Sequence, residues 1–154
     1  MALVEIAEVI PKFYGRYGST LDDKGRASVP AKIREIIDLR EIKLLMLRLF
    51  ETENSRFIRA YPASYFNDKI LPMVSQFNEE SEAGIYKMNA VMSSCYQIRL
   101  DNQGRINFPW ELLESAKIEK EIKFLGLGDF FDIWNPELYE KFVIAGKNGS
   151  LKQE

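Results

Sequence analysis

The chain has 154 residues, with 21 Lys and Arg against 23 Asp and Glu, a formal charge of −2, no histidine and one cysteine. The missing histidine excludes Ser-His-Asp and Cys-His catalysis, histidine metal ligation and a histidine pH switch. A lone Cys95 excludes an intramolecular disulfide and a cysteine-rich zinc site. Hydrophobic residues make up 46% and charged residues 29%, the balance of an ordinary globular domain. The start, Met1-Ala2-Leu3-Val4-Glu5, lacks a basic region, and Glu5 and Glu8 interrupt its apolar stretch. No secretory signal or membrane span is expected, so the expectation is a cytoplasmic protein.

In chain order, residues 1–13 form an N-terminal extension whose Leu3, Ile6, Ala7 and Ile10 fit a helical stripe ended by Pro11. A β-rich stretch over 13–21 meets a tight turn at Gly25, where glycine tolerates positive φ. A short strand follows and stops at Pro30, which suits the first turn of a helix. Residues 31–37 carry Ile33, Ile36 and Ile37 at helical spacing. Strands over 42–50 and 57–61 close the unit. Residues 64–94 form a helical connector of two helices broken near Asn78-Glu79. Ile70, Val74 and Phe77 pack the first, and Ile85, Met88 and Met92 pack the second. A second unit then repeats the order, with strands near 96–100, 122–127 and 131–134 and a helix over 110–116. Residues 139–154 are a helix end followed, from Ala145, by a loose polar tail.

The repeat is visible residue by residue. Leu21-Asp22-Asp23-Lys24-Gly25-Arg26-Ala27-Ser28-Val29-Pro30 aligns with Leu100-Asp101-Asn102-Gln103-Gly104-Arg105-Ile106-Asn107-Phe108-Pro109 at an offset of 79. Ile42 to Leu47 matches Ile122 to Leu127 at 80, and Phe57 to Tyr65 matches Phe131 to Tyr139 at 74. The six polar residues Glu51-Thr52-Glu53-Asn54-Ser55-Arg56 account for the drop as a longer loop in the first copy. Each copy, 16–63 and 95–138, is thus β-β-α-β-β. A unit of about 45–50 residues is small for an independent core, so the two are expected to complete one another.

Asp-x-x-Gly-Arg on two hairpin tips is the feature with chemistry in it. A two-stranded ribbon fits the DNA major groove, and an arginine on it donates two hydrogen bonds to guanine O6 and N7. Asp22 or Asp101 would orient the guanidinium through a charge-assisted pair, and Lys24 would neutralise phosphate. Residues 12–35 hold Lys12, Arg16, Lys24, Arg26, Lys32 and Arg34 against Asp22, Asp23 and Glu35, a local excess of three positive charges. The plain alternative is that Asp and Gly merely form turns, with an ordinary surface Asp–Arg pair. Elsewhere, Gly126-Leu127-Gly128-Asp129 lacks the Lys-Ser/Thr of a phosphate loop and is taken as a strand end and turn. Asp22 and Asp23 do not converge for acid–base work. Cys95 is a small, partly buried residue. Trp134, Tyr61, Phe130 and Phe131 belong in a core or subunit interface. No catalytic, metal or cofactor site and no small-molecule substrate is expected.

Leu21 to Arg34, and Leu100 to Arg105 followed by Gly126-Leu127-Gly128-Asp129-Phe130-Phe131-Asp132-Ile133-Trp134-Asn135-Pro136, resemble the two signatures of the MraZ family of bacterial transcriptional regulators. The resemblance runs from about Tyr14 to Phe142. It implies an α+β, mostly β fold: two tandem AbrB-like swapped-hairpin units forming a pseudo-symmetric barrel, with further helices between and after them. It implies ring-shaped homo-oligomers, nucleoid association and sequence-specific binding, usually as a repressor, to short tandem guanine-containing repeats upstream of division and cell-wall genes. By motif match Arg26 and Arg105 would be the family's tip arginines: Arg26 is expected to read guanine, whereas Arg105 would face either DNA or a neighbouring subunit of the ring. Lys24, Arg34 and Arg16 are expected to supply phosphate or positioning contacts, and Asp22, Gly25, Asp101 and Gly104 to orient the tips. Three departures stand out: the N-terminal extension, Asn102-Gln103 in place of Asp23-Lys24, and the large aromatic Trp110. A non-DNA interaction module on the same barrel is the alternative function.

Overall fold

A computed structural model describes residues 10–152. Eight strands and several helices are found among them: β1 (Arg16–Thr20), β2 (Arg26–Ser28), α1 (Ala31–Leu39), β3 (Leu45–Glu51), β4 (Arg56–Pro62), α2 (Ala63–Tyr65), a π-helical turn (Phe66–Ile70), α3 (Leu71–Val74), α4 (Glu82–Met92), β5 (Cys95–Ile98), β6 (Arg105–Asn107), α5 (Trp110–Ser115), β7 (Glu121–Gly126), β8 (Phe131–Trp134) and α6 (Pro136–Lys147). The fold is α+β with antiparallel pairing throughout.

The two halves exchange strands. The large sheet runs β1-β7-β8-β4-β3-β5, and β2 pairs with β6 in a separate ribbon. The first strand of the first half therefore lies on the third strand of the second half, with Arg16 opposite Leu125 and Thr20 opposite Glu121. Reciprocally, β5 lies on β3, with Ile98 opposite Leu45. The last strands of the halves, β4 and β8, meet at the centre, where Ile58 faces Ile133. The expected closed barrel is not formed among the described residues. Each hairpin leaves its own sheet after about five residues, so β2 and β6 pair as a ribbon across one face while β1 and β5 remain the edges.

Alternation sorts each strand between two faces. Leu45, Leu47, Ile58, Ala60, Ile122, Phe124, Phe131 and Ile133 face the main core, which also takes Ile33 and Ile37 from α1, Leu112 and Leu113 from α5, and Ala27 and Ile106 from the ribbon. Pro30 and Pro109 stand at the N-caps of α1 and α5. Both helices end on a left-handed residue, Glu41 (φ 55°) and Lys117 (φ 60°). Ile42 N–H and Ile118 N–H then donate back to the carbonyls of Ile37 and Leu113, at 2.9 Å each, closing the helix ends and returning apolar chain to the core.

The opposite face carries the remaining helices. Tyr61, Met46, Phe66, Ile70, Val74 and Val91 pack beneath the connector, while Phe57, Leu125 and Trp134 pack beneath α6. Trp134 stacks on Phe57 at 4.6 Å between centroids. Phe130 meets Tyr61 edge-on at 5.4 Å. Between these clusters, Arg59 on β4 donates to both oxygens of the buried Asp132 on β8, at 2.8 and 3.1 Å. Its guanidinium also lies 4.3 Å over Phe130. This pair ties together the two central strands, one from each half.

Three sequence expectations are corrected. The strand expected from Ile42 begins at Leu45, because Ile42 is spent closing α1. On α4 the buried line runs through Gly84 and Val91, with Met88 packed against the cluster, whereas Ile85 and Met92 are 44% and 42% exposed. Gly84 is pressed so closely on the Asn78 backbone that a Cβ would lie 1.8 Å from the Asn78 carbonyl oxygen, which sets the rotation of the helix. The loose tail expected from Ala145 is helical through Lys147, since α6, capped by the Asn135 side chain on the N–H groups of Glu137 and Leu138, runs twelve residues. The helical stripe at Leu3, Ile6 and Ala7 lies outside the described residues; Ile10 is exposed.

Strand exchange predicts that neither half folds alone. Fragments 1–78 and 79–154 should each lack native β-signal by circular dichroism and regain it when mixed; a cooperatively folded monomeric fragment would refute the dependence.

Candidate nucleic-acid interface

Both tips are built the same way from the aspartate outward. In the first, Asp22 N–H donates to the Arg26 carbonyl (2.8 Å) and Gly25 N–H to the Asp22 carbonyl (3.1 Å). Asp22 Oδ1 accepts from the N–H groups of Lys24 and Arg26, both at 2.9 Å. Its Oδ2 accepts from Arg26 Nε–H at 2.9 Å. One carboxylate oxygen thus holds the turn and the other holds the arginine. The second tip repeats this. Asp101 Oδ1 takes the N–H groups of Gln103 (2.9 Å) and Arg105 (3.0 Å), and Oδ2 takes Arg105 Nε–H at 2.7 Å. In both, the glycine sits in left-handed backbone, φ 78° at Gly25 and 73° at Gly104, where a Cβ is costly. The backbone N–H of Arg26 is the leading cause that holds the Asp22 carboxyl below its ordinary 3.8, and that of Arg105 does the same for Asp101. Both therefore stay ionised and keep the arginines oriented at neutral pH.

The strands beyond the tips bring the two arginines together. In the β2–β6 ribbon Arg26 faces Asn107, Ala27 faces Ile106 and Ser28 faces Arg105. Ala27 and Ile106 are buried in the core. By alternation Arg26, Ser28, Arg105 and Asn107 share the outer face. This face lies on the side of the large sheet away from the connector and α6. Each Nε is engaged by its aspartate, while the terminal amines of Arg26 and Arg105 have no hydrogen-bond partner among the described residues.

Each tip rests on the other half's helix, and here the halves differ. A Cβ at Gly25 would touch Trp110 and Leu113 of α5 at 3.5 and 3.6 Å. A Cβ at Gly104 would lie 2.2 Å from Nη1 of Arg34 on α1, and that amine donates to the Gln103 carbonyl at 3.3 Å. Trp110 is 56% exposed beside the first tip. Lys24 is exposed on the first tip. Arg34 borders the second tip although it follows the first in sequence. Arg16 stands at the far end of β1, about 13 Å from Thr20 at strand rise, and is not part of the ribbon face. Sequence reading did not single out Ser28 and Asn107; the alternation Arg-out, Ala/Ile-in, Ser/Asn-out after each glycine is the signal that finds them. Cys95 lies apart, half-buried at the start of β5, and burial pushes its thiol pKa up.

The comparisons with known proteins fall on this architecture. The transcriptional regulator MraZ of Cytophaga hutchinsonii is 35% identical over 133 residues, covering 86% of this chain and 85% of that protein. The chain belongs to the MraZ family. The MraZ of Treponema denticola is 35% identical over 130 residues (84% and 85% covered), and that of Pelagibacter ubique 30% over 142 (92% and 90%). The MraZ family model, described as "MraZ protein, putative antitoxin-like", matches residues 91–153, a span that includes the second tip. Among solved structures, the solution structure of PHS018 from Pyrococcus horikoshii aligns over 77% of this chain and 94% of that chain, with a TM-score of 0.37 and 13% identity. No helix among the described residues is long and apolar enough to cross a membrane.

Two outcomes follow for the tips of this MraZ-family chain. Gly25→Ala and Gly104→Ala should each lower stability by about 1–2 kcal/mol for the left-handed backbone. At Gly104 the methyl would also displace the Arg34 guanidinium, which is exposed on a flexible chain and can move aside, so chemical denaturation should give the two variants similar losses. In an NMR pH titration, the carboxyls of Asp22 and Asp101 should titrate below 3.8. With folded values depressed, the stabilisation they give is present above the unfolded value and is lost as pH falls through the folded one. Arg26→Ala should return Asp22 only part of the way, because the leading backbone N–H survives.

Proposed function

We propose that this protein is a sequence-specific DNA-binding transcriptional regulator, acting as a repressor, whose recognition element is the outer face of the β2–β6 ribbon. The observation that carries the reading is the convergence of Arg26 and Arg105. They come from opposite halves of the chain, stand on the outer face of one ribbon, and are each aimed by an aspartate through Nε, with no partner for the terminal amines among the described residues. A ribbon of this width enters the major groove, and an arginine fork takes guanine O6 and N7. The names of the relatives and the exchanged strands, which suit an AbrB-like swapped hairpin, support it.

Lys24 supplies a phosphate contact at the first tip. Arg34 supports the second tip, and Arg16, remote from the ribbon, is reserved for flanking phosphate. With a net charge of −2, one protomer has little general attraction for a polyanion. Affinity therefore comes from several ribbons on one ring-shaped homo-oligomer meeting tandem guanine-containing repeats, through effective concentration. On this reading such repeats lie upstream of division and cell-wall genes, and the protein works on the nucleoid. No catalytic step, cofactor or small-molecule substrate enters this reading.

The test is a titration of wild type and Arg26→Ala against a duplex with tandem guanine-containing boxes, a single-box duplex and a scrambled duplex, at two salt concentrations. Wild type should prefer the tandem duplex and weaken steeply with salt. The variant, still folded and oligomeric, should lose about 1–3 kcal/mol per engaged tip. Equal binding of all three duplexes by wild type would leave the tips as structural turns on an interaction module.

A further inference from the structure

The ribbon holds more than its arginines. Phe108 N–H donates to the Gly25 carbonyl at 2.9 Å and Val29 N–H to the Gly104 carbonyl at 3.0 Å. Those hydrogen-bonded rungs flank Arg26–Asn107 and Ser28–Arg105, which are therefore the non-hydrogen-bonded rungs. There, facing Cα atoms approach to about 4.5 Å and the side chains stand closest. Asn107 thus lies beside Arg26, and Ser28 beside Arg105. Both are exposed. The bond at Ser28 runs from the Ser19 hydroxyl to its backbone carbonyl (2.9 Å), so neither the Ser28 hydroxyl nor the Asn107 carboxamide has a partner among the described residues.

The middle rung, Ala27 and Ile106, is the ribbon's local two-fold point. It exchanges Arg26 with Arg105 and Ser28 with Asn107. The two arginine rungs are about 7 Å apart along the strands, which is close to two base steps of 3.4 Å. A two-fold ribbon laid in a groove meets the two antiparallel strands of a duplex equivalently. The departure from symmetry lies in the chemistry. A carboxamide makes the paired donor and acceptor contacts that suit adenine N6 and N7, whereas a hydroxyl accepts or donates to any base edge.

We infer that one protomer reads a single short element on both DNA strands, with Asn107 as a specificity-determining residue that selects adenine next to the guanine taken by Arg26, and Ser28 as its permissive counterpart beside Arg105. This rests on the DNA-binding reading above. On it, Arg26 and Arg105 take guanines on opposite strands about two base steps apart, and the element has a preferred orientation because only one flank discriminates.

The experiment is selection of bound duplexes from a library randomised around one guanine-containing box in a tandem array. It uses full-length wild type, Asn107→Ala and Ser28→Asn, each checked for unchanged thermal unfolding and oligomeric state. Wild type should enrich guanine on both strands and adenine at one flanking position. Asn107→Ala should keep both guanines and lose the adenine preference, a change of about 5- to 150-fold in relative affinity for one bidentate contact. Ser28→Asn should gain an adenine preference at the symmetry-related position on the other strand. Unchanged adenine enrichment in Asn107→Ala, or no new preference in Ser28→Asn, overturns this assignment and leaves DNA binding by the arginines standing. A wild type that enriches no base overturns both readings.

Discussion

Everything else in this molecule depends on the exchange of strands between its two halves. A β-β-α-β-β unit of this size buries too little apolar surface to hold itself together. The chain solves this by lending β1 to the second half and β5 to the first, then joining β4 to β8 at the centre. The core is shared in the same way: Ile33 and Ile37 from one half pack with Leu112 and Leu113 from the other under a common ribbon. The ribbon is a product of the exchange, since the strand that continues each hairpin, β2 or β6, finds its ladder partner in the other half. Its outer face therefore exists only in the assembled fold. The arginines on it inherit their separation from backbone hydrogen bonds rather than from flexible side chains.

Local electrostatics complete the arrangement. A guanidinium on a short strand is free to sample many rotamers, and ordering it on a ligand costs entropy. Here each aspartate divides its two oxygens between the turn and the arginine, so the same ionised group that closes the hairpin also aims the side chain. The Arg59–Asp132 pair on the other side of the sheet uses the same chemistry for a different end. With the Asp132 carboxylate buried and the Arg59 guanidinium stacked on Phe130 and Phe50, it fastens the two halves. The carboxylates separate the two uses: Asp132 is buried between the strands, whereas Asp22 and Asp101 reach solvent at the tips.

Much of this was legible in the sequence because it follows from short-range rules. The offset repeats, the glycines after Asp-x-x, the prolines ahead of α1 and α5 and the period-two apolar runs located most strands and helices. What escaped depends on contacts far apart in the chain. Closing or opening of the sheet depends on where β1 and β5 end up, which no local pattern encodes. The buried line of α4 depends on Gly84 meeting Asn78, so Ile85 and Met92, apolar and correctly spaced, face outward. Arg34 belongs by sequence to the first motif, yet its guanidinium borders the second tip because the strand exchange carries α1 across. Arg16 is close in sequence to the tip and distant in space, for a strand is an extended object. Ser28 and Asn107 were overlooked because a short polar residue on a three-residue strand has no signature until its partner strand is known.

The tethering of the two halves has a consequence of its own. In an assembly of two identical chains, any change at one tip is copied at the other, and the axis between them stays an axis of true symmetry. In a single chain the copies drift apart independently. Gln103 stands where the first copy has Lys24, and Trp110 where it has Ala31. Leu113 supports one tip where Arg34 supports the other. Fusion has turned a dyad into an arrow: the molecule has a front and a back along its own ribbon, and a surface of this kind distinguishes left from right on whatever it lies against.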